Sequence, residues 1–220
     1  MVATSIGNII CVGRNYAKHV KELENDIPTN PLLFSKPTHA LHSPSGQLAL
    51  PFHLGAIHHE VEIVVKLATA YNDALPLDDI IEAIAIGIDW TARDVQSSLK
   101  EKGHPWLISK GFKGSAVLSE FIPFPGENAF KQITFSLMNN GKIVQSGATK
   151  DMIFPLRSLL TYIDRQLGTD KGDIIYTGTP EGVAPVQSGD VLQMQLKNPS
   201  TGDISTDGPL NIVEANKMNV

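Results

Sequence analysis

In the run His58-His59-Glu60-Val61-Glu62-Ile63-Val64-Val65, two acids fall at alternate positions of an otherwise apolar stretch. Strand side chains alternate, so a strand here sends Glu60 and Glu62 to one face and Val61, Ile63 and Val65 to the other. The two glutamate Cα atoms then lie roughly 6.6 Å apart, near enough for both carboxylates to converge on one cation. Like charges set beside a core otherwise repel each other and are costly to desolvate. A hard divalent metal makes such a pair favourable. An edge strand with both acids in water is the other arrangement this segment allows.

Ile84-Ala85-Ile86-Gly87-Ile88-Asp89 has a second strand pattern, with isoleucines on one face and Ala85, Gly87 and Asp89 on the other. The small residues leave room on the aspartate's face for an opposing strand or a ligand. Three carboxylates, with no Cys or His at ligand spacing, suit Mg²⁺ or Mn²⁺ rather than Zn²⁺. The alternative is that Asp89 only ends its strand.

The 220 residues are expected to form one domain, 1–220, with no need of disulfides to bury a core. The single Cys11 sits in Ile9-Ile10-Cys11-Val12, which predicts a buried, inert thiol and fits a reducing compartment. A net charge of −5 without a basic stripe argues against nucleic acid as a partner. There is no apolar stretch of membrane-spanning length and no signal-peptide pattern, so the expectation is a cytoplasmic protein with no membrane partner. No repeat or low-complexity linker divides the chain, and Pro123–Asn128 reads as a turn-rich connection between β segments.

Strands are expected at Asn8–Val12, Leu32–Ser35 and Gln47–Leu50, ahead of the two acid-bearing strands. Asn15 is placed to cap a short helix over Tyr16–Glu24 that buries Tyr16, Val20 and Leu23. Thr91-Ala92-Arg93-Asp94 has the form of a capping box opening a helix to about Lys102, which makes Asp94 a helix-start acid and not a metal ligand. Strands Ile133–Met138 and Lys142–Gln145 flank the turn Asn139-Asn140-Gly141. Leu156, Leu159, Leu160, Ile163 and Leu167 form one stripe of a helix that Pro155 can begin and Gly168 can close. Asp173–Tyr176, Val191–Leu196 and Leu210–Val213 complete the strands. Many short strands with few helices indicate an α+β class with a mixed sheet. No Walker loop, dinucleotide fingerprint, G-x-S-x-G elbow or H-E-x-x-H motif is present.

His19 and Glu22 share a helix face, either as a proton-relaying pair or as a surface ion pair. Arg93 and Gln96 are also three apart; Arg93 either clamps a substrate carboxylate or pairs with Asp89. Lys110 lies in an apolar setting, where it snorkels to water or stabilises an anion, while Trp106 and Phe112 are expected to pack. Thr177-Gly178-Thr179-Pro180-Glu181-Gly182-Val183 is a turn whose glycines permit close approach to an anion, with a hydroxyl at Thr179. His58 and His59 are read as supporting donors or as ordinary packed histidines.

Taken in order, seven segments resemble the fumarylacetoacetate hydrolase family, in its short acylpyruvase-like branch. They are Cys11-Val-Gly-Arg-Asn-Tyr-Ala-Lys-His19-Val-Lys-Glu22, Leu33-Phe-Ser-Lys-Pro37, His58-His-Glu-Val-Glu62 and Asp89-Trp-Thr-Ala-Arg-Asp-Val-Gln96, followed by Pro105–Phe112, Gln145–Met152 and Thr177–Val183. The resemblance implies a metal held by Glu60, Glu62 and Asp89, and a His19–Glu22 dyad on a lid that orders over the substrate. It also implies substrate contacts from Arg93, Gln96, Lys110 and Thr179. The implied fold is a mixed β-roll or sandwich of that family's C-terminal-domain type with peripheral helices, usually in a homodimer. The long tyrosine-pathway hydrolases add an N-terminal domain and a metal-binding aspartate where this chain reads Val12-Gly13-Arg14. Lys113 and Ala184 are further departures, outside the proposed chemistry.

The expected activity is a Mg²⁺- or Mn²⁺-dependent hydrolase that splits the C–C bond of acylpyruvates, small 2-oxo acids, to pyruvate and a carboxylate. Glu22, assisted by His19, would activate water, and the metal and Lys110 would hold the pyruvate enolate. Oxaloacetate decarboxylation is expected as a second or principal activity through the same enolate. The alternatives are an isomerase or decarboxylase of 2-hydroxymuconate-type diacids in aromatic catabolism, and a non-catalytic, metal-stabilised binding module.

Overall fold

The computed structural model describes residues 6–22, 26–198, 202–205 and 208–215. An eight-stranded sheet has the spatial order Leu32–Lys36, Ile9–Gly13, Ile174–Tyr176, Val61–Leu67, Ile81–Asp89, Ala116–Leu118 and Leu41–His42, with Ile122–Pro123 also paired to Ile81–Asp89. Its pairings are mixed: Ile9–Gly13 runs parallel to Ile174–Tyr176, while Val61–Leu67 runs antiparallel to both of its neighbours. A six-stranded sheet has the order Lys142–Ala148, Thr134–Asn139, Val191–Asn198, Leu210–Glu214 and Gly46–Leu50, with Gly202–Ser205 against Val191–Asn198. Three short strands, Ala184–Pro185, Ile57–His59 and Thr91–Ala92, make a third sheet. The fold is α+β, as expected, with predicted strand boundaries moving by three residues or fewer.

The acidic strand works as its alternation predicts. Val61, Ile63 and Val65 join Ile84, Ile86 and Ile88 in the main core, which is completed by Phe135, Leu137, Leu192 and Met194 from the six-stranded sheet. A smaller apolar cluster that includes Cys11, Val64, Ala85 and Tyr176 covers the opposite face. Cys11 is buried and unpaired, and burial followed by the charge of Asp89 pushes its thiol up well above the ordinary value. The solvated-edge alternative fails, because Val61–Leu67 is hydrogen-bonded on both sides and buried throughout.

Local expectations are met unevenly. The hairpin forms at the expected turn, but as a two-residue loop of Asn140 (φ 51°) and Gly141 (φ 76°), both left-handed, with Asn139 paired to Lys142 in the strands. The helix Leu156–Leu167 buries Leu156, Leu159, Leu160 and Ile163, but Leu167 at its last turn is exposed, and Gly168 closes it. The first helix is described over Ala17–Glu22 and begins one residue later than expected, while Leu23 and Glu24 lie outside the described residues. Asn15 caps nothing. Its buried side chain donates to the Thr177 carbonyl (2.8 Å) and accepts from the Phe154 amide (2.8 Å), stapling three segments. The capping box is also absent: the helix Arg93–Glu101 begins without a side-chain cap. Thr91 instead donates to Glu60 (3.1 Å), and Asp94 accepts from the Ala56 amide (2.9 Å). Among the described residues, no helix is long and apolar enough to cross a membrane.

The space beside Gly87 is taken by a strand's side chain. Tyr176 reaches across this face and donates to the Val117 carbonyl at 2.8 Å. A Cβ on Gly87 would lie 2.5 Å from that carbonyl oxygen and 2.8 Å from the Tyr176 ring. Gly87→Ala should therefore destabilise the protein by about 1–3 kcal/mol through overpacking. Urea unfolding checks this, and an unchanged midpoint would show that the sheet relaxes freely there.

Candidate active site

Glu60 lies in the one-residue break between Ile57–His59 and Val61–Leu67, where the chain passes from the three-stranded sheet into the eight-stranded one. Glu62 pairs in register with Gly87, and the Asp89 amide donates to the Glu60 carbonyl at 2.8 Å. Glu60 in that break and Glu62 on the strand that follows thus lie beside Asp89 of the neighbouring strand. One ligand oxygen from each acid lies within 4.8 Å of the others, and all three residues are buried.

Cations from distant segments surround this cluster. Lys110 Nζ lies 2.8 Å from Glu60 Oε2 and 2.6 Å from Asp89 Oδ2. Lys36 Nζ lies 2.6 Å from Asp89 Oδ1 and also donates to the Lys110 carbonyl, while Arg93 Nη2 lies 2.5 Å from Glu60 Oε1. Lys110 is buried, so it does not snorkel, and it stands 4.8 Å from the centre of the Phe34 ring. Arg93 pairs with Glu60 and Gln96, not with Asp89.

The three acids differ in electrostatic standing. Burial would raise the Glu60 carboxyl, but Lys110 and Arg93 outweigh it and hold Glu60 well below the ordinary value. For Lys110, burial works against the ammonium, yet Asp89 and Glu60 raise its pKa overall. Glu62 is pushed well above the ordinary carboxylate value by burial, then by the charges of Asp89 and Glu60. The Gly178 amide, 2.7 Å from Glu62 Oε2, offsets only part of this. A buried carboxyl short of positive charge, in an all-oxygen donor set, fits a hard divalent cation such as Mg²⁺ or Mn²⁺.

His19 is buried with Nδ1 3.2 Å from Glu22 Oε2, and the Gly182 amide donates to Glu22 Oε1 at 3.0 Å. Lys18 and Glu181 add an exposed ion pair between the same helix and turn. His19 lines the cleft together with Glu60, Glu62, Arg93, Gln96, Lys110 and Thr179; Glu22 stands behind the imidazole. The Thr179 hydroxyl is already engaged, donating to the Val61 carbonyl and accepting from Gln145 Nε2, each at 2.9 Å. Trp106 lines the cleft as well as packing on Phe34. His59 meets Gln145 at 2.8 Å, and burial followed by Arg93 pushes the His58 imidazole down to about 4, so His58 is neutral at physiological pH.

Lys36, Thr91 and Gln145 were not singled out by chemistry in the sequence. A lysine at the end of the apolar pattern Leu32-Leu33-Phe34-Ser35-Lys36 was the one available signal for the first. Thr91 carries only the misleading capping-box pattern and nothing local marks Gln145; their partners lie 31 and 84–86 positions away.

Comparison with known proteins identifies the family. Residues 8–206 match the family described as fumarylacetoacetate hydrolase, C-terminal. Oxaloacetate tautomerase YcgM of Escherichia coli is 41% identical over 193 residues, spanning 85% of this chain and 87% of that protein. A mitochondrial oxaloacetate decarboxylase of Dictyostelium discoideum is 38% identical, spanning 84% and 86% of the two chains. Among solved structures, the fumarylpyruvate hydrolase of Pseudomonas aeruginosa in complex with Mn²⁺ and pyruvate superposes with a TM-score of 0.84. It is 29% identical, with 96% of this chain and 91% of that one covered.

The raised Glu62 carboxyl sets a pH dependence. Its folded pKa lies above the ordinary 4.5, so its contribution to stability is complete below 4.5 and is lost as pH rises through the folded value. A cation at the three acids would displace that proton. Mn²⁺ binding should therefore release a proton and tighten with rising pH, and Glu62→Gln should abolish the release. Calorimetry in buffers of different ionisation enthalpy measures this; buffer-independent heats would contradict it.

Proposed function

The chain belongs to the fumarylacetoacetate hydrolase family, and from that premise we propose that it is an enzyme of small 2-oxo acids acting on oxaloacetate through its enolate. The observation carrying this reading is the gathering of Glu60, Glu62, Lys110 and His19 around one cleft, with Asp89 directly behind. The activities named for the relatives favour oxaloacetate over the acylpyruvates expected from the sequence. Mg²⁺ or Mn²⁺ held by Glu60, Glu62 and Asp89 would supply Lewis acidity at the substrate's 2-oxo group.

The chain's own residues account for the remaining requirements. Arg93 and Gln96 would orient the carboxylate beside the oxo group. Lys110, with two of its N–H bonds given to Glu60 and Asp89, has one left for the oxygen on which negative charge develops. His19 would take the C3 proton, and Glu22 holds its ring through Nδ1. In tautomerisation the C3–H bond breaks, its electron pair forms the C2–C3 double bond, and a proton is delivered to the C2 oxygen. In decarboxylation the C3–C4 bond breaks instead, CO₂ leaves, and a proton later returns to C3.

Hydrolysis of acylpyruvates is the second reading, supported by the His19–Glu22 pair, which suits water activation, and by the similarity to a fumarylpyruvate hydrolase. A non-catalytic module would account for Lys110 as a counter-charge but not for a buried His19 that lines the same cleft and pairs with Glu22.

One set of variants separates these readings. Lys110→Met, with bound metal verified, should lower kcat for oxaloacetate tautomerisation, its decarboxylation and acetylpyruvate hydrolysis alike, because all three share one enolate. Glu22→Gln should lower hydrolysis by about 10²–10⁴-fold, the usual worth of a positioned base, and decarboxylation by less. Equal losses would make the dyad a latch for the helix, and full activity of Lys110→Met would remove the enolate role.

A further inference from the structure

The helix Arg93–Glu101 places Arg93, Gln96 and Lys100 at spacings of three and four residues, so they share one face, and all three line the cleft. Arg93 contacts Glu60 and Gln96 near the floor, on the side assigned above to the first carboxylate. Lys100 lies about 10 Å farther along the helix axis and is exposed, so it stands at the open end of the cleft. Arg14 lines the same cleft and is half-buried. Its φ of 59° is a left-handed conformation that costs a non-glycine residue free energy and tends to be retained at functional positions.

Among the described residues, neither the Arg14 nor the Lys100 side chain has a hydrogen-bond or ion-pair partner. Burial and the charges of Arg14 and Arg93 lower the Lys100 pKa, as expected of cations that share one cleft. The cleft is thus polarised, with buried acids at its floor and two unpaired cations at its mouth. Leu32, Phe34 and Trp106 supply apolar wall.

We propose that Arg14 and Lys100 form a subsite for the second carboxylate of a dianionic 2-oxo acid, whose first carboxylate and oxo group lie at the acidic floor. The kinetic part of this inference rests on the proposed 2-oxo-acid chemistry. A monoanionic acylpyruvate would leave both cations unpaired, so the subsite selects diacids.

The test uses the Mn²⁺-loaded protein and three inert 2-hydroxy acids: lactate, malate and 2-hydroxyglutarate. Only the last two carry a distal carboxylate. By calorimetry, at least one diacid should bind about 10- to 100-fold more tightly than lactate, the worth of a charge-assisted hydrogen bond. The double variant Arg14→Gln/Lys100→Met should lose that advantage with lactate affinity unchanged, and Arg14→Lys should keep most of it. Lys100→Met alone should show a smaller loss, which keeps the test decisive should replacing Arg14 disturb the fold. A wild type that does not prefer diacids, a preference that survives the double variant, or an equal loss for lactate would each overturn the subsite. In parallel, the double variant should raise KM for oxaloacetate and leave acetylpyruvate unchanged. Should the wild type turn over neither, the proposed reaction falls, while the binding comparison still decides the subsite.

Discussion

Burying Glu60, Glu62 and Asp89 with oxygens inside 4.8 Å of one another demands positive charge at close range. Two like charges about 4 Å apart repel by about 4 kcal/mol at an effective dielectric near 20. The fold answers from three separate places: Lys36 at the end of an outer strand, Lys110 from a short helical turn and Arg93 from a helix start. Asp89 and Glu60 each receive two of these contacts, whereas Glu62 receives one amide. That inequality leaves Glu62 the least compensated of the three acids.

The turn from Thr177 to Gly182 ties this cluster to the helix that carries His19. Its Gly178 amide meets Glu62, its Gly182 amide meets Glu22, and Thr177 and Thr179 donate to carbonyls of the acidic strand. Gly178 has φ 104°, and a Cβ there would come within 2.6 Å of Asn15. One backbone segment thereby sets the distance between the carboxylates and the imidazole.

What the sequence made legible follows from how local each signal is. The alternation of Glu60 and Glu62 and the small residues before Asp89 are local signals; both strands formed, with Glu60 falling in a one-residue break just before Val61–Leu67. The hairpin at Asn140-Gly141 and the stripe of Leu156–Leu167 are local in the same sense, apart from Leu167 at the frayed end. The capping box at Thr91 and the cap at Asn15 failed because tertiary partners outbid the local ones. The counter-charge from Lys36 and the brace from Gln145 come from pairings across 53 and 84–86 positions, which no local pattern records. The seven-segment resemblance pointed to the assembled site residues before any distance was known, though not to which cation faces which acid.

Glu60 occupies a break shared by two adjacent strands: Ile57–His59 gives way to Val61–Leu67 at the level where Ile81–Asp89 gives way to Thr91–Ala92. Glu62 belongs to one sheet, while Glu60 sits at the seam between that sheet and another. The spacing of the two glutamates is therefore set by how two sheets meet and not by either sheet alone, so a cation bridging them would clamp that seam.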